Sequence, residues 1–185
     1  MIKYLYILAS NNTDFFLEQA LISITSLKYR MPNAFVSLLI DDRTEKTLTV
    51  KRSNILNLIN ELKVIEIDPK YNKVACSRWL KTSMRQSIKE DFLYIDSDTV
   101  ICDKLSEIED NDFNIGAVLD LHTMINQSLG KKHYQRDDKL LGFNSSFLSE
   151  KYYNGGIIYC KDTPECHSFF DKWHELWLKD RKSVV

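Results

Sequence analysis

The chain lacks the glycine-rich motifs with which many nucleotide-binding proteins hold phosphate groups. Its five glycines form neither Gly-x-Gly-x-x-Gly nor a P-loop, so neither device is available for phosphate recognition. It also lacks any apolar run near the ~20 residues that a membrane-spanning helix needs. A net charge of -1 gives no reason to expect a nucleic-acid partner held by bulk electrostatic attraction.

Cysteine pairs are lacking as well. The four cysteines are scattered and form no Cys-x-x-Cys, which argues against a zinc site and a disulfide framework. The N-terminus shows neither the apolar core nor the cleavage site of a signal peptide. We therefore expect a reduced, cytoplasmic protein. Its 185 residues, 44% of them hydrophobic and 28% charged, predict one globular domain, and the oligomeric state is left open.

Hydrophobic patterning predicts alternating strands and helices in the first half of the chain. Apolar runs at 2–9, 35–40 and 64–67 are typical of buried strands. Apolar residues at helical spacing predict a first helix between the first two runs and a second helix over 48–62. Strand, helix, strand, helix, strand is the pattern of a mostly parallel sheet with right-handed crossovers, so we expect an α/β fold.

A further helix, from about Val74 to Lys89, carries four basic residues beside its apolar stripe. We expect Arg85 and Lys89 on this helix to lie in solvent, which is the usual place of a charged helix face. Arg78 and Lys81 lie near the helix start, where a helix N-terminus favours anions. If that end of the sheet holds a nucleotide, both side chains are placed to meet its charge.

Asp96 and Asp98 are the main candidate site residues of the sequence. They follow the apolar run 92–95, and carboxylates rarely go inside unless they are paired or bind a metal. Ligands of parallel α/β sheets bind at the carboxyl ends of the strands. Two acids placed there can converge on Mg²⁺ or Mn²⁺, which prefer carboxylate and phosphate oxygens. The alternative is an ordinary turn, because aspartate favours turns.

The second half of the chain predicts two more strands and a final helix. The apolar run 113–119 predicts a strand that ends on Asp120. A strand-like run at 152–159 contains a Gly-Gly pair, and glycine inside a strand often marks the close approach of a ligand. Between them, residues 122–143 have weak periodicity, and we expect a functional loop or lid. The last helix is expected to begin at Pro164.

Three of these segments resemble the retaining, nucleotide-sugar-dependent glycosyltransferases of family 8, which include glycogenin and bacterial lipooligosaccharide galactosyltransferases. The segments are Tyr94-Ile95-Asp96-Ser97-Asp98, the strand that ends on Asp120, and Tyr153-Asn154-Gly155-Gly156-Ile157. Their order and spacing are similar to those of the family, and the likeness runs from Ile2 to about residue 180. It implies a GT-A fold with a Rossmann-like nucleotide half, about 1–103, and a sugar and acceptor half, about 104–185.

The resemblance also implies roles for individual residues. Asp96 and Asp98 would bind Mn²⁺ or Mg²⁺, which bridges the diphosphate of a nucleotide-sugar donor such as UDP-glucose or UDP-galactose. The implied contacts of the donor are Ala9, Ser10, Asn11, Arg78, Lys81, Asp96, Ser97, Asp98, Asn154, Gly155 and Gly156. Asp120 and Asn154 would lie beside the reacting sugar and act in catalysis. The acceptor would be a carbohydrate or another hydroxyl compound.

Members of this family usually continue past the last helix with an Asp-Gln pair and then a His and Lys segment. That His completes the metal site and that Lys holds the diphosphate. The sequence ends at Val185 without them, so we expect either a piece of a longer protein or a metal held loosely by two protein ligands.

Two other functions fit parts of the sequence. The first is a chain that binds a nucleotide-sugar or a partner protein without turnover. The second is a phosphatase of the haloacid dehalogenase type, whose Asp-x-Asp-x-Thr/Val loop matches residues 96–100. In such phosphatases the motif ends the first strand of the domain, whereas several elements precede it here.

Overall fold

A computed structural model of the chain describes residues 2–49, 51–124 and 151–182. Its centre is a six-stranded mixed sheet with the order β3-β2-β1-β4-β6-β5. The strands are β1 (Lys3–Leu8), β2 (Phe35–Asp41), β3 (Glu61–Ile65), β4 (Phe92–Ile95), β5 (Ile115–Met124) and β6 (Lys151–Cys160). The first four strands are parallel, and β6 pairs antiparallel with both β4 and β5. The expected α/β fold with a mostly parallel sheet is confirmed.

Helices cover both faces of the sheet. They are α1 (Phe16–Arg30), α2 (Asp42–Glu45), α3 (Lys73–Thr82), α4 (Met84–Ser87) and α5 (Pro164–Lys182). Tyr4 and Tyr6 of β1 point into the core under α1, while Leu5 and Ile7 point into the core under α3, α4 and α5. Strand β1 is therefore buried on both faces, which explains its continuous apolar sequence. Among the described residues, no helix is both long and apolar enough to cross a membrane.

The predicted helix over 48–62 is wrong. This segment contains a short 3-10 helix, Ser53–Asn57, and then enters β3, which includes Leu62. Strand β3 pairs residue by residue with β2, and the side chain of Asn60 accepts a hydrogen bond of 2.9 Å from the amide of Val36. Pairing with a neighbouring strand overrides the helical spacing of the apolar residues. The third strand is therefore 61–65, and not 64–67.

The predicted helix from Val74 to Lys89 is divided at Ser83, and its basic face does not lie wholly in solvent. Lys89 is exposed as expected, but Arg85 is completely buried. The Arg85 guanidinium donates hydrogen bonds to the carbonyl oxygens of Ile88, Glu90 and Lys161. Because Lys161 follows β6, the return of a distant strand buries this arginine.

Asp120 does not end its strand, which is a third correction. Strand β5 continues to Met124, which pairs with Lys151 after irregularities in the register. Asp120 is half-buried within β5 and directly follows Leu119, the partner of Tyr153. The expected loop or lid at 122–143 begins inside this strand, and from residue 125 onward it lies outside the described residues.

The final helix begins where the sequence predicts. The hydroxyl of Thr163 accepts a hydrogen bond of 3.3 Å from the amide of Cys166, and Pro164 occupies the first helical position. This is the usual N-terminal arrangement, because proline has no amide hydrogen to leave unsatisfied. All four cysteines carry free thiols.

Candidate functional site

A cleft of about 380 Å³ opens at the carboxyl edge of the parallel strands. The end of β1, the start of α1, one side of α3 and the segment after β4 form its walls. Six of the residues singled out from the sequence line it: Ala9, Arg78, Lys81, Asp96, Ser97 and Asp98. Parallel α/β sheets bind ligands at this edge, because their loops and helix N-termini meet there.

Asp96 is held by contacts from three elements. Its amide donates a hydrogen bond of 2.7 Å to the carbonyl oxygen of Gly156 on β6. The hydroxyl of Tyr94 donates to Oδ1 of Asp96, and Nζ of Lys81 lies 3.1 and 3.4 Å from the two carboxylate oxygens. Burial raises the pKa of Tyr94 well above its usual value, and the charge of Asp96 raises it further. The phenol therefore stays protonated and remains a donor to Asp96.

The Gly-Gly pair of β6 lies beside this carboxylate. A Cβ atom on Gly156 would lie 2.8 Å from Oδ2 of Asp96 and 2.7 Å from Oδ1 of Asn154. A Cβ atom on Gly155 would come no closer than 3.8 Å to Lys81, an ordinary contact. Glycine at position 156 thus allows the Asp96 and Asn154 side chains to approach the strand.

Replacing Gly156 with alanine should lower the free energy of unfolding by about 1 kcal/mol, because the new methyl group displaces the Asp96 carboxylate that Tyr94 and Lys81 hold in place. Gly155→Ala is the matched control, and its effect should stay within about 0.5 kcal/mol. Urea unfolding followed by tryptophan fluorescence measures both values. Equal stabilities of the two variants would contradict the assigned role of Gly156.

The loop between β1 and α1 is fastened by Asp14, a residue that the sequence analysis missed. The Asp14 carboxylate accepts hydrogen bonds from the hydroxyl of Ser10 at 2.7 Å and from the amide of Asn11 at 2.8 Å. It also forms an ion pair of 2.8 Å with Lys73 of α3. Arg52 also donates a hydrogen bond of 2.9 Å to the hydroxyl of Ser10. Ser10 is therefore buried and fixed, whereas Asn11 remains exposed.

Asp14 could have been noticed from its position near the predicted start of α1. Aspartate is favoured at helix starts because its side chain accepts hydrogen bonds from free backbone amides. Here the amide of Phe16, the first residue of α1, donates to Oδ1 of Asp14 at 3.1 Å. The ion pair with Lys73 carries no signal in the sequence, because the two residues are far apart in the chain.

Asp14 should make the protein sensitive to acid. Burial alone would raise the pKa of Asp14, but the ion pair with Lys73 and the hydrogen bonds of the loop lower it from 3.8 to about 2. A lowered pKa in the folded state stabilises the protein above the unfolded value, and this contribution disappears as the pH falls toward the folded value.

Asp14→Asn should therefore lower the free energy of unfolding by about 2 kcal/mol at neutral pH. The difference from the wild type should shrink as the pH falls from about 4 to about 2, since the unfolded wild type then takes up the proton. Asp103→Asn, at an exposed position outside the loop, is the control and should have little effect. A difference that stays constant over this pH range would contradict the assigned ionisation of Asp14.

Asn154 and Asp120 lie on the two strands beyond β4. Asn154 is exposed, and its Oδ1 accepts a hydrogen bond of 2.5 Å from the amide of Gly156. This contact fixes the carboxamide near Asp96. Asp120 lies one strand further out, on β5, and is not among the described residues that line the cleft. The structure thus brings Asn154 close to Asp96 but places Asp120 on β5, outside the lining of the cleft.

The two carboxylates suit a divalent cation only in part. Both supply hard oxygen ligands, and Asp98 is exposed in the cleft, but Asp96 is already paired with Lys81. Within the described part of the chain, no group of three or more His, Cys, Asp or Glu side chains could hold a metal. Mg²⁺ and similar ions often bind through one or two carboxylates together with substrate phosphates. The residues therefore fit a cation shared with an anionic ligand.

No protein-family model and no curated protein matches this sequence. Solved structures of glycosyltransferases, however, have a similar fold. The galactosyltransferase LgtC, in complex with donor and acceptor sugar analogs, has a TM-score of 0.66 and 16% sequence identity, and the match covers 100% of this chain and 66% of LgtC.

The glycosyltransferase GlyE from Streptococcus pneumoniae has a TM-score of 0.53 and 12% identity, with 93% of this chain and 37% of GlyE covered. The chain thus spans about two thirds of the length of LgtC and little more than a third of GlyE. At these identities the similarity concerns the fold. The six-stranded, mostly parallel sheet with its flanking helices is that of the GT-A-like glycosyltransferases, as the sequence resemblance implies.

Proposed function

We propose that this chain binds a UDP-hexose in the cleft and takes part in the transfer of the hexose to a hydroxyl group of a carbohydrate acceptor, with retention at the anomeric carbon. The observation that carries the proposal is the convergence of Arg78, Lys81, Asp96 and Asp98 at the carboxyl edge of the sheet in a glycosyltransferase-like fold. UDP-glucose and UDP-galactose are the donors that we propose.

The cations of α3 are the proposed contacts of the donor diphosphate. Arg78 is exposed on the cleft wall, and Lys73 and Lys81 line the same wall. The helix is capped by Asn72, and its N-terminal end adds a partial positive charge. An arginine can donate two parallel hydrogen bonds to a phosphate group, so Arg78 is the proposed principal contact.

The β1–α1 loop, which is held in place by the contacts of Asp14 and Arg52, is the proposed binding site of the uracil and the ribose. Ala9 lines the cleft, and the adjoining Ser10 is held by Asp14 and Arg52. A loop that is ordered before the ligand arrives loses little conformational freedom on binding, which favours affinity. Asn11, exposed at the loop surface, would contact the nucleoside. Ser97, beside the carboxylates, is proposed to contact the donor as well.

Asp96 and Asp98 would hold a Mn²⁺ or Mg²⁺ ion together with the donor diphosphate. When bound, such an ion stabilises negative charge on a leaving diphosphate. Arg78 would act on the same charge, because the bond between the anomeric carbon and the phosphate oxygen breaks with both electrons leaving on the diphosphate. The Lys81 ammonium is a second positive charge on this wall of the cleft.

The sugar would lie toward β6, with Asn154, Gly155 and Gly156 beside it. The anomeric carbon gains positive charge in the transition state, so a nearby carboxylate or amide oxygen would stabilise it. Asn154 is held beside Asp96, and we propose that it lies closer to the anomeric carbon than Asp120 does. Asp120 is proposed to bind donor-sugar hydroxyls from β5.

The proposal is tested by incubating the protein with UDP-glucose or UDP-galactose, Mn²⁺ and a panel of sugar acceptors, and by measuring released UDP and glycosylated product. We expect UDP release that Asp98→Asn lowers by about 100-fold or more, since loss of one transition-state electrostatic contact commonly costs that much. Asp103→Asn, an exposed aspartate outside the cleft, should leave the rate unchanged.

Two other results separate the alternatives. UDP binding without release of UDP from either donor would assign the chain to non-catalytic nucleotide-sugar binding. Release of phosphate from small phosphoesters, lost in Asp96→Asn, would instead favour the phosphatase. Asp96 follows the fourth strand of this fold, and none of the described contacts favours that reaction.

A further inference from the structure

Lys81 forms an ion pair with Asp96 on the wall of the cleft, and Asp96 is one of the two carboxylates proposed to receive a divalent cation. The Lys81 ammonium lies 3.1 and 3.4 Å from the two oxygens of Asp96. The Lys81 side chain is only 23% exposed, and its Nζ lies 4.9 Å from the centre of the Tyr94 ring. Its position is thus set by a carboxylate and an aromatic ring together.

An ammonium group and a divalent cation cannot use Asp96 independently. A carboxylate oxygen binds Mg²⁺ at about 2.0–2.1 Å, which is close enough to bring the ion against an ammonium that contacts both oxygens. Like charges at such short distance repel one another strongly in a partly buried site. In addition, the Tyr94 hydroxyl already occupies a lone pair of Oδ1.

We propose that Lys81 and the divalent cation compete for Asp96, so that the protein without nucleotide binds the cation weakly. A nucleoside diphosphate would relieve this competition by accepting hydrogen bonds from Lys81, which lines the same cleft and has three N–H donors. Binding of the cation is thereby coupled to binding of the diphosphate. This inference rests on the proposed function, because it concerns the cation site of the same cleft.

Lys73 provides a matched comparison within the cleft. It is also a lysine of α3 that lines the cleft wall, but its ammonium pairs with Asp14 at 2.8 Å. Removal of its charge changes the overall charge of the cleft as much as removal of the Lys81 charge does. Of these two lysines, Lys81 contacts Asp96 and Lys73 contacts Asp14. A competition for Asp96 therefore predicts different effects of the two substitutions.

The test is titration with Mn²⁺ alone, with the free ion measured by electron paramagnetic resonance. Lys81→Met should bind Mn²⁺ at least about tenfold more tightly than the wild type, because a charge that opposes the ion is removed. Lys73→Met should change the affinity much less, and Lys81→Arg should stay near the wild type. Adding Asp98→Ala to Lys81→Met should abolish the gain. Thermal unfolding checks that each variant is folded.

Saturating UDP should bring the Mn²⁺ affinities of wild type and Lys81→Met together, since the diphosphate then engages Lys81. A Mn²⁺ affinity of Lys81→Met no higher than that of the wild type, or a gain equalled by Lys73→Met, would overturn the inference. So would affinities that stay apart in a protein that binds UDP. Because the first titration contains no nucleotide, failure to bind UDP would refute the proposed function and leave this test intact.

Discussion

Arg85→Met should lower the free energy of unfolding by about 3 kcal/mol, because three backbone carbonyl oxygens would lose a charged hydrogen-bond donor. These oxygens belong to Ile88, Glu90 and Lys161, and they join the end of α4 to the segments before β4 and after β6. The Arg85 side chain is 0% exposed, so water does not replace the lost donor.

Two further contacts affect the size of this loss. The guanidinium lies 4.8 Å from the centre of the Phe92 ring and 3.4 Å from the carboxylate of Asp162. Asp162 is partly exposed, so water can solvate it when Arg85 is removed. Nε of Arg85 is buried without a hydrogen-bond partner in the described part of the chain, and methionine removes that unfavourable group. These effects keep the expected loss at the lower end for a buried arginine.

Lys89→Met is the control for Arg85→Met, because Lys89 lies four residues further along and is exposed. Its stability should remain within about 0.5 kcal/mol of the wild type. Urea unfolding followed by circular dichroism measures both variants. If Arg85→Met lost no more stability than Lys89→Met, the buried hydrogen bonds of Arg85 would not have the role assigned to them.

Arg78→Ala should weaken the binding of UDP by about 30-fold or more, the usual effect of removing one partner of a charged hydrogen-bonded contact. Arg78 is exposed in the free protein and lines the cleft near Asp98, so its loss removes a ligand contact and leaves the core unchanged. Stability should therefore stay close to that of the wild type.

Arg30→Ala is the matched control, since Arg30 is an exposed arginine at the far end of α1. It should leave the affinity for UDP unchanged, as measured by isothermal titration calorimetry at fixed ionic strength. A similar loss of affinity in both arginine variants would indicate a general effect of charge, and an unchanged affinity in Arg78→Ala would remove Arg78 from the proposed site.

Much of the sheet could be predicted because its central strands, β1, β2 and β4, are almost wholly buried. Strand β4 has the predicted limits, Phe92–Ile95, and β1 and β2 agree within one residue at each end. A continuous apolar run is typical of a strand that is buried on both faces. The prediction of a helix over 48–62 was wrong because apolar residues at helical spacing also fit a short 3-10 helix followed by a strand. Only the pairing with β2 decides between the two.

The site residues that could be predicted are those whose place at a strand end or on a helix is visible in the sequence pattern. The Asp96-x-Asp98 pair, Arg78 and Ala9 do meet in one cleft, as expected for residues at the carboxyl edge of a sheet. Contacts between distant residues were not predictable. Sequence places Lys81 near a nucleotide but does not show its ion pair with Asp96. It also cannot show that Lys73 meets Asp14, or that the segment after β6 buries Arg85.

Titration calorimetry of UDP with the wild-type protein and Asp98→Ala, with and without Mn²⁺, decides whether this cleft binds a nucleoside diphosphate together with a metal ion. We expect binding in the presence of Mn²⁺ with a dissociation constant on the order of micromolar, and loss of this binding in Asp98→Ala. No binding under any condition, or equal binding by Asp98→Ala, would contradict the claim that this cleft is the site of a nucleotide-sugar donor.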